Sequence, residues 1–164
     1  MSAVVYREAK AEELLAIARM YEKLEEYMRQ FTFAFPQVER LGEQWVEMFR
    51  RTLGRFSIVL VAERDGVLLG FILARIKYSP PYLGGVRVGE LKDMWVEPEA
   101  RGLGVGRELL GRAIAWCREQ RVHSIEAQVL DGNEPILKLL ATFGLRLELR
   151  QLRLPLEPAE APAK

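Results

Sequence analysis

The residues with the most chemical content stand between Glu90 and Arg107. Two carboxylates, Glu90 and Asp93, lie on an apolar segment that breaks at Pro98. Arg101, Gly102, Gly104 and Gly106 follow, and a helical pattern begins without an intervening loop. A carboxylate in such a place suits proton transfer. Glycines at alternate positions where a helix starts suit an anion, because the first turn has free N–H groups and the positive end of the macrodipole. Without side chains the backbone can also approach a phosphate closely. The pattern therefore points to a diphosphate-bearing ligand. Two other phosphate loops fit less well. G-x-G-x-x-G would need glycine where Arg107 stands, and no G-K-[ST] tripeptide occurs in the chain.

A second constellation is Asn133-Glu134-Pro135-Ile136, continuing through Leu140 to Gly144-Leu145. Asn as N-cap with proline just inside is good helix-start chemistry by itself, and it leaves Asn133 compatible with a ligand role. Taken together, Val96-x-Pro98-Glu99-x-Arg101-Gly102-x-Gly104-x-Gly106 and the Asn133 helix resemble the GNAT superfamily of N-acetyltransferases. Its acetyl-CoA motif is [RQ]-x-x-G-x-[GA] after a strand, and its later helix starts at Asn and ends at Gly followed by an apolar residue. The resemblance covers roughly residues 58–154.

That resemblance implies acetyl-CoA as co-substrate, with no metal. It assigns Met94, Trp95, Val96, Arg101, Gly102, Leu103, Gly104, Val105, Gly106, Arg107, Asn133, Ile136 and Leu140 to the cofactor site. It also implies a strand pair, 86–96 and 124–130, that splays to admit the pantetheine arm, with backbone N–H groups of Met94 to Val96 serving the oxyanion. Glu90 matches the position of a glutamate that acts through ordered water in some members. Of the two acids Glu90 is favoured over Asp93 as base, each being equally readable as a solvated acid paired with Lys92 or Arg87. Three residues apart, they face opposite sides of a regular strand unless a bulge intervenes. At position 140 many members have the tyrosine that protonates the leaving thiolate. Here Leu140 replaces it, leaving Tyr78 or Tyr82 of the Pro-Gly loop at 78–85 as substitutes.

The elements that must hold these residues are legible from periodicity. Residues 3–7 read as a strand. Helices follow at 10–28, with Leu14, Leu15, Ala18, Tyr21, Leu24 and Met28 inward, and at 38–53, with Leu41, Trp45, Met48, Phe49 and Thr52 inward. Tyr27, Phe31, Phe33 and Phe35 between them are most simply core, yet they are placed to wall a substrate pocket. Strands at 56–62 and 67–77 join across Arg64-Asp65-Gly66. Pro80-Pro81 and Gly84-Gly85 require a loop. The helix at 104–120 carries Val105, Leu109, Leu110, Ala113, Ile114 and Cys117 as one stripe. Residues 145–154 alternate as a strand with a phase shift at Arg150-Gln151, and His123 reads as structural.

With 164 residues the chain is sized for one domain, 1–154, with 155–164 a disordered tail. The expected class is α/β (α+β): a single GNAT-like domain with a mixed, mostly antiparallel twisted sheet, helices on both faces and a splayed central strand pair. A formal net charge of +1 argues against nucleic acid or an anionic membrane surface as partner. No apolar run approaches the ~20 residues that span a bilayer, and the expected compartment is the cytoplasm. One cysteine cannot form an internal disulfide, and Cys117 on its stripe reads as a small buried hydrophobe. The reading is an N-acetyltransferase moving acetyl from acetyl-CoA to a small-molecule or peptide amine by direct attack. The alternative is a catalytically weak CoA-binding sensing domain of the same fold. Homodimers are common in the family, so the resemblance extends to that state.

Overall fold

The computed structural model describes residues 2–31 and 35–156. Phe33, and the part of the expected tail from 157 on, lie outside the described residues. Among the described residues five strands form one sheet: β1 Val5–Glu8, β2 Ser57–Arg64, β3 Val67–Tyr78, β4 Arg87–Val96 and β5 Ser124–Ala127. They lie in chain order. The β1/β2, β2/β3 and β3/β4 pairs are antiparallel, and β4/β5 is parallel. The helices are α1 Leu14–Met28, α2 Leu41–Arg50, α3 Val105–Glu119 and α4 Glu134–Thr142. No helix among the described residues is long and apolar enough to cross a membrane.

The strand period of two sends alternate side chains to two separate cores. On one face Val59, Val61, Phe71, Leu73 and Trp95 meet Leu14, Ile17 and Leu24 of α1 and Trp45, Val46 and Phe49 of α2. On the other, Ile58, Leu60, Ile72, Ala74 and Leu91 meet the α3 stripe. Each fully buried aliphatic or aromatic side chain contributes on the order of 1.5–3 kcal/mol of apolar transfer, so both helical layers are held mainly by these stripes. The α3 stripe is as expected from its spacing. On α1, however, Leu15 is exposed while Ile17 and Met20 are buried, and on α2 Met48 is exposed while Val46 is buried. Both helices start three to four residues later than their periodicity suggests.

β4 must approach α3 closely, and Gly89 makes that possible. A Cβ there would stand 2.8 Å from Cys117 Sγ and 3.0 Å from Cys117 Cβ. Gly89→Ala is therefore expected to destabilise the fold by about 1–3 kcal/mol in urea unfolding, the usual range for overpacking. Adding Cys117→Ala to that variant should recover part of the loss, whereas Cys117→Ala alone should not stabilise.

Two segments depart from the sequence reading. β5 pairs with β4 only from Val88↔Ser124 to Leu91↔Ala127, stopping three residues short of the expected end. Residues 145–155 form no strand, and Leu147, Leu149, Leu152 and Leu154 are all more than 70% exposed. Alternation makes a strand only where an edge offers a matching ladder. The phase shift at Arg150-Gln151 divides these leucines into two short sets with opposite parity, so no single register buries both.

Candidate active site

The early end of β5 opens the site. β4 continues five residues past its last partner on that side, from Lys92 to Val96. Glu97 N donates to Leu69 O at 2.8 Å, so that N–H faces β3. Alternation along an antiparallel strand then turns the N–H groups of Val96 and Met94 to the opposite edge, the one β5 has left. These are fixed donors lining a split between two strands, an arrangement suited to a developing oxyanion. The indole N–H of Trp95 is buried with no acceptor among the described residues.

Beyond Val96 the chain makes a short turn at Pro98–Ala100 and enters the glycine loop. Arg101 is pinned there: its Nε donates to Val96 O at 3.0 Å and its guanidinium lies 4.6 Å over the Trp95 ring. Gly102 and Gly104 have φ of +79° and +82°, a region that favours glycine, and nothing lies within 4 Å of a Cβ built at either. Gly104 is the N-cap of α3 with no side-chain cap, and Glu108 N makes the first bond to Gly104 O, at 3.0 Å. The N–H groups of Val105, Gly106 and Arg107 thus precede the first intrahelical bond and point out of the helix start. Leu103 and Arg107 are exposed on either side. A Cβ at Gly106 would make only ordinary contacts, with Val96, Met94 and Leu139. A bare, open helix N-terminus next to a strand split fits a diphosphate joined to an extended arm.

The acids sit on the other side of β4. Arg75 opposes Glu90 and Leu73 opposes Asp93, so a bulge at Lys92 inserts one residue between Leu91 and Asp93. Because Leu73 and Arg75 are two apart, Glu90 and Asp93 share the α1/α2 face. Their surroundings differ. Glu90 is 4% exposed and is paired with Arg75 and, at 3.5 Å, with Lys77, which also pairs with Glu126. Its partners are therefore neither Lys92 nor Arg87. Burial pushes its carboxyl up, but the Arg75 and Lys77 charges outweigh that and hold it below the usual range.

Among the described residues no cation pairs directly with Asp93. Trp45 Nε1 donates to its Oδ2 at 2.9 Å, and that indole is wedged by Tyr21, stacked at 4.5 Å, and by the edges of Phe49 and Phe71. Burial dominates and pushes the Asp93 carboxyl above its ordinary value. Burial, then the Asp93 charge, push the Tyr21 phenol up as well. The Asp93–Trp45 contact was not legible in the sequence, where Trp45 was simply one of the inward residues of its helix.

A third group arrives from the end of α1. Tyr27 packs edge-on to Trp95 at 6.2 Å and to Phe31 at 5.3 Å, and its hydroxyl donates weakly to Asn133 Oδ1 at 3.5 Å. Phe31 lies 3.5 Å from the place of a Cβ on Gly132. Lys23, one turn earlier, pairs with the buried Glu97 at 2.7 Å. α1 therefore borders the split from the side of the acids. Of the aromatics expected here as core or pocket wall, Tyr27 and Phe31 are half-buried at the split and Phe35 is exposed.

Asn133 holds the N-cap position of α4 without a side-chain cap hydrogen bond, and Ile136 is half-buried one turn on. Leu140 is 6% exposed and belongs to the core beneath α3. Tyr78 opposes Arg87, the first residue of β4, and both it and Tyr82 are exposed at the end of the sheet away from the split. His123 is exposed at that same end, its N–H donating to Arg87 O at 2.8 Å. Cys117 is fully buried and its thiol is pushed up to about 11 by desolvation.

Comparison with known proteins agrees with this geometry. The Acetyltransferase (GNAT) family matches residues 17–145. Phosphinothricin N-acetyltransferase of Alcaligenes faecalis is 32% identical over 143 residues, covering 87% of this chain and 70% of that protein. Mycothiol acetyltransferase of Acidothermus cellulolyticus is 32% identical over 94 residues, covering 52% of this chain. The match takes in 29% of that protein, so the chain corresponds to less than a third of its length. Among solved structures, a predicted acetyltransferase with acetyl-CoA from Clostridium acetobutylicum superposes with a TM-score of 0.75 at 18% identity. It covers 94% of this chain and 97% of its own, a likeness of fold. With both motifs in place around a split β4/β5 pair, the chain belongs to the GNAT family of acetyltransferases.

Proposed function

We propose that this protein transfers the acetyl group of acetyl-CoA to an amine by direct attack, with no covalent enzyme intermediate. The observation that carries the reading is the split itself. An unpaired β4 edge with inward N–H groups leads through a short turn and the glycine loop to a bare helix N-terminus, as the arm and the diphosphate of one ligand require. Arg101 through Arg107 hold the diphosphate, chiefly through backbone N–H groups. Met94, Trp95 and Val96 line one wall of the arm's path, and Asn133 and Ile136 the other. Leu140 supports that wall from beneath. The Cys117 thiol, buried and raised, is unsuited to forming an acyl-enzyme.

An amine with a pKa near 10 must lose a proton before it can attack. Of the two acids on the acceptor face, we assign that proton to Asp93, directly or through water. A carboxylate raised by burial is the better base, whereas Glu90 is neutralised by Arg75 and Lys77 and serves to position the strand. A second reading, a CoA-binding sensing domain, rests on Leu140 standing where a proton-donating tyrosine is common. Relatives acetylate different small amines, and the acceptor here belongs to the same broad class.

Calorimetric titration tests the ligand. Acetyl-CoA and free CoA are both expected to bind with Kd in the range of about 1–100 μM. No heat from either would remove the enzyme and the sensor together.

A further inference from the structure

We infer that the Tyr27 phenol is the proton donor to the departing thiolate, supplied from α1 in place of the side chain at position 140. This rests on the acetyl-transfer reading. Collapse of the tetrahedral intermediate breaks the C–S bond and leaves its electron pair on sulfur, which then needs a proton. Leu140 offers none and is buried beneath α3. Tyr78, Tyr82 and His123 are at the other end of β4. Tyr27 is the phenol that reaches the split. Its ring lies against Trp95 on β4 and its hydroxyl reaches Asn133 at the start of α4, six residues beyond the end of β5, so it bridges β4 to the segment that follows β5. It does so from the α1/α2 face, the side on which Asp93 meets the amine.

A scissile bond held in the split therefore has the amine and the phenol on one side and the strand N–H groups at its carbonyl. The contact to Asn133 is long, as such bonds commonly are before substrate arrives. In the completed reaction the amine, its ammonium proton already passed through Asp93 to solvent, forms the C–N bond as a neutral nucleophile, and the nitrogen then gives up a second proton to Asp93. Sulfur takes one proton from Tyr27, and the phenolate recovers a proton from solvent as Asp93 releases its own. The sum is amine plus thioester giving amide plus thiol.

Tyr27→Phe keeps the ring against Trp95 and Phe31 and removes only the hydroxyl. Thiol release would be measured with spermidine, kanamycin and phosphinothricin as acceptors, alongside calorimetric titration of acetyl-CoA. The expected result is a fall in kcat of about 10- to 100-fold. That is modest for a general acid because a thiol of pKa near 8.5 leaves tolerably without help. KM for both substrates and Kd for acetyl-CoA should stay within about threefold. A kcat within about twofold of wild type, or a loss that appears equally in Kd, would overturn the inference and leave Tyr27 a packing residue. Wild type that binds acetyl-CoA but releases no thiol with any acceptor would overturn the transferase reading, and this inference with it.

Discussion

Gly104→Asp is expected to weaken acetyl-CoA binding by about 100-fold or more while leaving the fold intact. The separation of the two effects follows from position. Gly104 is the N-cap of α3 at φ +82° with nothing within 4 Å of its missing Cβ, so a side chain has room. Aspartate is among the non-glycine residues that tolerate left-handed backbone best, at a cost of about 1–2 kcal/mol, and it would place a carboxylate beside the N–H groups of the first turn. Those are the same N–H groups assigned to the diphosphate. A carboxylate there both occupies them and repels the ligand, and two tenfold steps correspond to only about 2.8 kcal/mol. Calorimetry and thermal unfolding on one preparation check both halves. Unchanged affinity would move the diphosphate off this loop, and a collapsed Tm would show that the glycine serves the fold instead.

Asp93→Asn is expected to lower kcat by about 100- to 1,000-fold, the usual range for removing a general base, with acetyl-CoA affinity preserved. The amide oxygen still accepts from Trp45 Nε1, so the aromatic nest around it need not move. pH supplies an independent signature. Burial raises the Asp93 carboxyl, so the active, deprotonated form is lost as pH falls through a value above the ordinary carboxylate range. The acid limb of wild-type kcat/KM should lie there, and residual activity of the variant should lack it.

Stability runs the other way. Between the unfolded and the raised folded value the native state binds more protons, so this group's contribution is greatest at low pH and declines as pH rises through the folded pKa. Asparagine removes that decline, and the variant should be no less stable than wild type at neutral pH. Glu90→Gln makes the contrast: it leaves Arg75 beside an uncharged amide while Lys77 keeps Glu126, so its first effect should be on Tm.

Much of this site was legible in the residues because local chemistry demanded it. The glycines at 102 and 104 announce positive φ, the α3 stripe announces its buried face, and Asn133 with Pro135 announces a helix start. The relation between Glu90 and Asp93 was open for a definite reason. Strand parity sets three-apart residues on opposite faces, and only the bulge at Lys92, visible in pairing with β3, brings them together. The partners of each acid are also non-local. Arg75 reaches Glu90 across a strand pair, and Trp45 reaches Asp93 from a helix 48 positions away, so spacing alone favoured the nearer Lys92 and Arg87. Tyr27 was one aromatic among several in an apolar stretch. Its contact to Asn133 joins positions 106 apart and depends on where α1 ends over the sheet. The leucines after position 145 carried a strand pattern but no partner edge, a property of the sheet and not of the segment.

The most direct test of the central claim is thiol release from acetyl-CoA across a panel of amines. Spermidine, kanamycin, phosphinothricin, free amino acids and a peptide with a free N-terminus would each be followed by mass spectrometry of the acceptor. The account predicts that at least one amine gains an acetyl group in proportion to thiol released, and that Asp93→Asn suppresses both signals together. Tight acetyl-CoA binding with no acetylated amine under any condition would contradict it and leave a CoA-binding domain without transferase chemistry.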